Sequence, residues 1–126
     1  MDAVPHEFST RPPGGLAVDN RLAVYGSLAP GEANAGVLAP LSGSWCRGRV
    51  RGTLHTVGWG AGLGYPAIRL DREGPEVSAW LFSSADLPGF WDQLDAFEGA
   101  DYERVVTAVR VGDQQWEANI YRWREG

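Results

Sequence analysis

The sequence predicts an α+β domain built on a small, curled, mixed β-barrel with two short flanking helices. Three observations carry that expectation. Strand-like alternation fills most of the second half of the chain. Helical spacing is confined to two stretches, 32–41 and 86–98. No repeat or second apolar core divides the 126 residues, a length that suits one compact domain. Many antiparallel strands with few helices to cover them are best buried by curling the sheet on itself.

Residues 1–20 carry Pro5, Pro12, Pro13, Gly14 and Gly15 with little periodicity, and read as a flexible N-terminal arm. The domain is expected to span 21–126. Arg21 to Tyr25 is a short apolar run, read as a first, central strand. It runs into Gly26-Ser27-Leu28-Ala29-Pro30-Gly31. Residues 32–41, with Ala35, Val37 and Leu38, read as a short helix stopped near Pro40. A strand, a tight Gly-Ser loop and a helical start can gather N–H groups around an anion. The Gly-Lys-Ser/Thr ending of a nucleotide phosphate loop is missing, and a plain turn is the alternative.

Ser44 to Val57 reads as a long strand bent at Gly48 or Gly52. The glycine-rich stretch 58–64 reads as a connection or a rim over a pocket, with Trp59 either touching ligand or pinning the loop. Tyr65 to Leu70 is a short strand, 71–75 a turn, and Glu76 to Ser83 an alternating strand. Arg104 to Val111 and Gln114 to Trp123 form a hairpin around Gly112-Asp113. Its inward positions are Val105, Thr107 and Val109 on one strand, and Trp116, Ala118 and Ile120 on the other.

The chemistry centres on Leu94-Asp95-Ala96-Phe97-Glu98-Gly99. Leu87, Phe90, Trp91 and Leu94 recur at one helical face in a helix starting near Asp86, and Glu98 falls on the same stripe. Gly99 supplies a left-handed C-cap. A carboxylate among hydrophobes at the negative end of a helix has its pKa pushed up. That is the range in which it can take and return a proton near neutral pH. The alternatives are that Glu98 turns out to solvent, or is salt-bridged by Arg104 or Arg110.

Composition excludes several functions. Formal net charge is −5 without a Lys/Arg cluster, which argues against nucleic acid. Arg47, Arg49 and Arg51 alternate, as one solvent-facing side of a strand would. The one cysteine, Cys46, cannot form an internal disulfide, so a reducing, cytoplasmic setting is expected. Cys46 reads as a small buried thiol and His55 as a strand-face side chain. No metal-ligand spacing, membrane-length apolar run or secretion signal is present.

Three separated pieces resemble the γ-glutamylcyclotransferase-like (AIG2-like) proteins. Val24-Tyr25-Gly26-Ser27-Leu28, with Pro30-Gly31-Glu32 and Asn34, resembles their signature loop. Gly64-Tyr65-Pro66-Ala67 resembles their mid-chain segment. Leu94 to Gly99, with Tyr102-Glu103-Arg104, resembles the segment carrying their catalytic glutamate, and Ile120-Tyr121 their last strand. The likeness spans about residues 21–123 and implies a small barrel with short helices. It implies an enzyme that closes a γ-glutamyl group to 5-oxoproline by cyclising acyl transfer and releases an amine, in the manner of a lyase. It assigns Glu98 as catalytic acid/base, and Tyr25, Gly26, Ser27, Leu28, Tyr65 and Tyr102 to substrate binding. No metal or cofactor is implied, and a monomer or weak homodimer is expected. Ala79 stands where relatives often have glycine, which implies a narrowed pocket wall.

The physics suits those roles. The substrate's α-amine must lose a proton before attacking its own δ-carbonyl, and a raised-pKa carboxylate can accept it and pass it to the departing nitrogen. The loop amides would hold the α-carboxylate, so that proximity supplies much of the acceleration. Two other readings stand beside this one: a non-catalytic small-molecule binding domain of the same fold, and an interaction module using its acidic surface.

Overall fold

The computed structural model describes residues 6–57 and 65–124. Among them the chain forms one seven-stranded mixed sheet. The long strand β3, Gly43–Val57, is its spine. It pairs antiparallel first with β5, Glu76–Ser83, from Ser44↔Ser83 to Arg51↔Glu76. It then pairs with β4, Tyr65–Leu70, from Gly52↔Leu70 to Val57↔Tyr65. Residues 71–75 turn between the two partners. A side chain at Gly52, the changeover point, would run into the Arg69 carbonyl, so the position requires glycine.

The short strand β2, Arg21–Val24, lies between β5, antiparallel, and β7, Gln114–Trp123, parallel. All four of its residues are buried, which is why this run lacks polar alternation. The last strand in the ring, β6, Tyr102–Val111, makes a hairpin with β7. An Arg49↔Arg110 pairing between β3 and β6 closes the order β3-β5-β2-β7-β6 into a barrel. A Cβ at Gly48, beside that seam, would sit 2.8 Å from Val109 Cγ1.

The alternation of β2 divides the apolar residues into two clusters. Ala23 joins Cys46, Val50, Leu81, Val109 and Ile120 inside the barrel. Leu22 and Val24 face the other way, with Trp45, Phe82, Trp91 and Leu94. The hairpin faces are as the sequence predicts: Val109, Ala118 and Ile120 are buried, and Val105, Thr107 and Trp116 half-buried.

Two expectations are corrected. The helix expected from Asp86 begins later: Leu87–Gly89 is a 3-10 turn, and the α-helix α1 covers only Trp91–Glu98. Pro88 lacks an N–H and Gly89 is a poor helix former, so the first turn does not propagate. Residues 32–41 form no α-helix; they hold a 3-10 turn at Ala35–Val37. Gly36, Pro40 and the left-handed Gly31 (φ 83°) defeat the weak apolar spacing there. The two flanking helices are therefore one α-helix and short 3-10 turns.

The described part of the N-terminal stretch, residues 6–20, opens with a short strand. The strand β1, His6–Phe8, pairs parallel with the start of β3. His6 Nε2 contacts the carbonyls of Leu38 and Leu41 at 3.1 and 2.9 Å, and its Nδ1 accepts from Trp45 Nε1 at 3.1 Å. A three-residue edge strand is too short to show a period. No helix among the described residues is long and apolar enough to cross a membrane.

Candidate active site

The amphipathic stripe of α1 decides where the carboxylate goes. Trp91 and Leu94 are buried against the apolar cluster, and Leu87 joins them from the preceding turn. Glu98, the last helical residue, is half-buried on the same side. Gly99 then has φ 86° and ψ −179°. The positive φ is what a glycine C-cap provides, but the extended ψ departs from the expected left-handed helical turn and sends the chain toward β6.

Glu98 lines a cavity of about 370 Å³. Tyr25, Gly26, Ser27 and Leu28 form another part of its wall, and Tyr102 joins from β6. The structure thus brings together Tyr25, Gly26, Ser27, Leu28, Glu98 and Tyr102. Tyr65 opens β4, but its side chain lies outside the described part of the structure, as do residues 58–64 with Trp59.

The loop after β2 is braced from within. Ala29 N–H donates to the Gly26 carbonyl at 3.0 Å, and Asn34 N–H to the Ser27 carbonyl at 2.8 Å. Asn34 Nδ2 also donates to Ser27 Oγ at 2.9 Å. None of the hydrogen bonds among the described residues uses the N–H of Gly26, Ser27 or Leu28. These donors stand beside the cavity, an arrangement that suits an anion. The α-helix expected to reinforce them is replaced by a 3-10 turn at Ala35–Val37.

Tyr25 is anchored at its far end. Its hydroxyl donates to the Tyr121 carbonyl at 2.5 Å and accepts from the Ile68 N–H at 3.2 Å. Burial pushes its pKa well up, so it stays a neutral phenol. Its ring is left to shape the cavity.

Burial pushes the Glu98 carboxyl up to about 7. Neither arginine considered as its partner fills that place. Arg104 makes a two-point bridge to Asp95, Nε to Oδ1 at 2.9 Å and Nη2 to Oδ2 at 3.2 Å. Arg110 lies 3.7 Å from Glu76 and donates to the Gly112 carbonyl. The arrangement puts a carboxyl able to exchange a proton near neutral pH in one cavity with a loop whose Gly26, Ser27 and Leu28 N–H groups have no partner among the described residues.

Sequence reasoning missed several lining residues. Asn34 enters the sequence reading only as part of a motif. Phe97 is 46% exposed at the cavity, and its position off the buried stripe gives no sequence signal for that place. Tyr121 comes from the far end of the chain and lines the same space. Ala79, expected to narrow a pocket wall, instead packs inside the barrel opposite Gly48 and does not line this cavity. Its strand face is the inward one.

Elsewhere the side chains have structural roles. Burial raises the Cys46 thiol to about 11, which keeps it protonated. His55 is exposed on β3. Arg49 and Arg51 lie 3.8 Å from Glu76 on the outer face, and Arg47 stacks 4.0 Å from the Trp80 ring centre. No group of three or more His, Cys, Asp or Glu among the described residues is placed to hold a metal ion.

The closed mixed barrel with one short helix is the cyclotransferase-type fold. The chain belongs to the γ-glutamyl cyclotransferase, AIG2-like family, whose model matches residues 22–126. Solved structures agree in fold. An AIG2-like protein from Mus musculus superposes with a TM-score of 0.64 at 19% identity, covering 82% of this chain and 76% of that one. A protein from Arabidopsis thaliana gives 0.60 at 25% identity, covering 82% and 61%. Allophanate hydrolase from Kluyveromyces lactis gives 0.64 at 15% identity, covering 83% of this chain but 17% of that enzyme. No curated protein sequence matches the chain.

Proposed function

We propose that this protein is a γ-glutamyl cyclotransferase in which Glu98 is the general acid/base. The observation that carries the reading is the placement of a half-buried carboxyl with a pKa of about 7 in the same cavity as the Tyr25–Leu28 loop. In this reading the α-carboxylate of a γ-glutamyl group rests on the amides of Gly26, Ser27 and Leu28. Ionised Glu98 accepts a proton from the α-ammonium. The freed amine attacks the δ-carbonyl and the five-membered ring closes; Glu98 returns the proton to the leaving nitrogen as the amide C–N bond breaks, and the attacking nitrogen gives up its second proton to water to leave the lactam N–H. The products are 5-oxoproline and a free amine. No enzyme nucleophile enters the sequence, because the attacking and attacked groups share one molecule.

The test is 5-oxoproline release from a panel of γ-glutamyl amino acids, γ-glutamyl amines and γ-glutamyl-masked intermediates. Turnover of at least one compound is expected. If members bind and none is turned over, the domain is a non-catalytic binding module of the same fold.

A further inference from the structure

The geometry assigns Asp95 and Arg104 as positioning residues for Glu98: the pair fastens the last turn of α1 to the β6/β7 hairpin and cancels a negative charge one turn from the acid. This inference rests on the reading of Glu98 given above.

The fastening is a connected network. Asp95 Oδ1 accepts both from Arg104 Nε at 2.9 Å and from the Tyr121 hydroxyl at 2.5 Å, while Oδ2 accepts from Arg104 Nη2. Helix, β6 and β7 therefore meet at one carboxylate. Arg104 Nη1 reaches on to Asn119 Oδ1 at 3.1 Å, and Asn119 Nδ2 donates to the Val18 and Arg21 carbonyls. Arg21 opens β2, the strand that leads into the Tyr25–Leu28 loop. The Arg104 guanidinium also stacks 4.3 Å from the Trp91 ring centre, and Trp91 Nε1 donates to the Asp19 carbonyl. One set of polar contacts thus sets the helix carrying Glu98 relative to the strand carrying the loop.

The electrostatic part follows from spacing. Residues three apart on a helix are neighbours, so Asp95 and Glu98 share a face. Arg104 holds the Asp95 carboxyl below the usual range, so Asp95 is an anion whenever Glu98 titrates. Left alone, that anion would oppose ionisation of Glu98; the guanidinium offsets it. The other titratable groups around Glu98 are Tyr25 from the loop, Tyr102 from β6 and Tyr121 from β7. Burial raises Tyr25 and Tyr121 far above neutrality, so neither changes charge in the window of Glu98. The Tyr121 proton is engaged by Asp95, which leaves its oxygen only as an acceptor.

The test compares Arg104→Gln, Asp95→Asn and the double variant. Glu98 is titrated directly by carboxyl-carbon NMR in each folded protein, and the pH profile of kcat/KM is recorded beside it. Arg104→Gln leaves Asp95 uncompensated, so the Glu98 midpoint moves up, on the order of half a pH unit. Asp95→Asn leaves the guanidinium uncompensated, so the midpoint moves down by a similar amount. The double variant returns near the wild-type midpoint while kcat stays lowered. A bridge that only held the fold would lower stability in both single variants without opposed shifts. Midpoints that stay still, or move in the same direction, overturn the inference. Asp95→Asn is isosteric and supplies the decisive shift even if Arg104→Gln does not fold. The titration needs no substrate, so absence of 5-oxoproline release would sink the cyclotransferase reading without touching this result.

Discussion

The phenol of Tyr25 joins the loop after β2 to the last strand, its hydroxyl donating to the backbone carbonyl of Tyr121 at 2.5 Å. The same oxygen accepts from the Ile68 N–H on β4. Two strands and the loop thus meet at one side chain in the cavity wall. Tyr25→Phe leaves a carbonyl and an N–H without their partner. The expected cost is about 1–3 kcal/mol in urea unfolding, with KM raised more than kcat is lowered. A melt and a KM both equal to wild type would mean that the hydroxyl anchors nothing.

Stability and activity should both follow the titration of Glu98. Its folded pKa of about 7 lies above the ordinary 4.5 of an unfolded glutamate. The folded state therefore binds the proton more tightly. The associated stability is fully present below about pH 4.5 and is lost as pH rises through about 7. Glu98→Gln removes the cost of burying the charge. It should be more stable than wild type at pH 8, on the order of 1–2 kcal/mol after discounting for partial exposure, and indistinguishable at pH 4. Denaturant melts at the two pH values check this. A wild-type-minus-variant difference that is flat with pH would contradict the burial of Glu98.

Gly26→Val tests the anion seat. A branched side chain would stand between a ligand carboxylate and the N–H groups of Gly26, Ser27 and Leu28. Affinity for γ-glutamyl substrates should fall at least tenfold while the melt changes little. Asn34→Ala should loosen the same loop more gently, by about 1 kcal/mol of stability and a severalfold rise in KM. Isothermal titration on both variants decides the matter, and unchanged affinity in Gly26→Val would remove the loop from substrate binding.

The seam of the barrel gives a prediction independent of function. A side chain at Gly48 would press on Val109 Cγ1 at 2.8 Å and on the Arg110 carbonyl at 3.2 Å. Gly48→Val should cost about 1–3 kcal/mol or more. A thermal melt reads it directly, and a neutral result would mean that β3 and β6 separate freely there.

The legible parts of this molecule are those with a period. The recurrence of Leu87, Trp91 and Leu94 gives the buried stripe of α1, and spacing puts Glu98 on that stripe while leaving open whether it turns out to solvent. The alternation of Val109, Ala118 and Ile120 placed the hairpin faces in the same way. What escaped has no local signature. Residues 32–41 carried a weak apolar pattern that Gly31, Gly36 and Pro40 overrode. The three residues of β1 are too few to alternate. Asp95 and Arg104 are nine positions apart and meet only because the chain reverses at Gly99. Tyr121 reaches the cavity through a parallel pairing of β7 with β2 that no short-range pattern encodes.

The most direct measurement is single-turnover 5-oxoproline formation at pH 8 by wild type and Glu98→Gln, on the best substrate of the panel. The expected result is a rate lower by about 10²–10⁴ in the variant, with substrate affinity within a few-fold of wild type. Equal rates in the two proteins would contradict the proton-transfer role of Glu98.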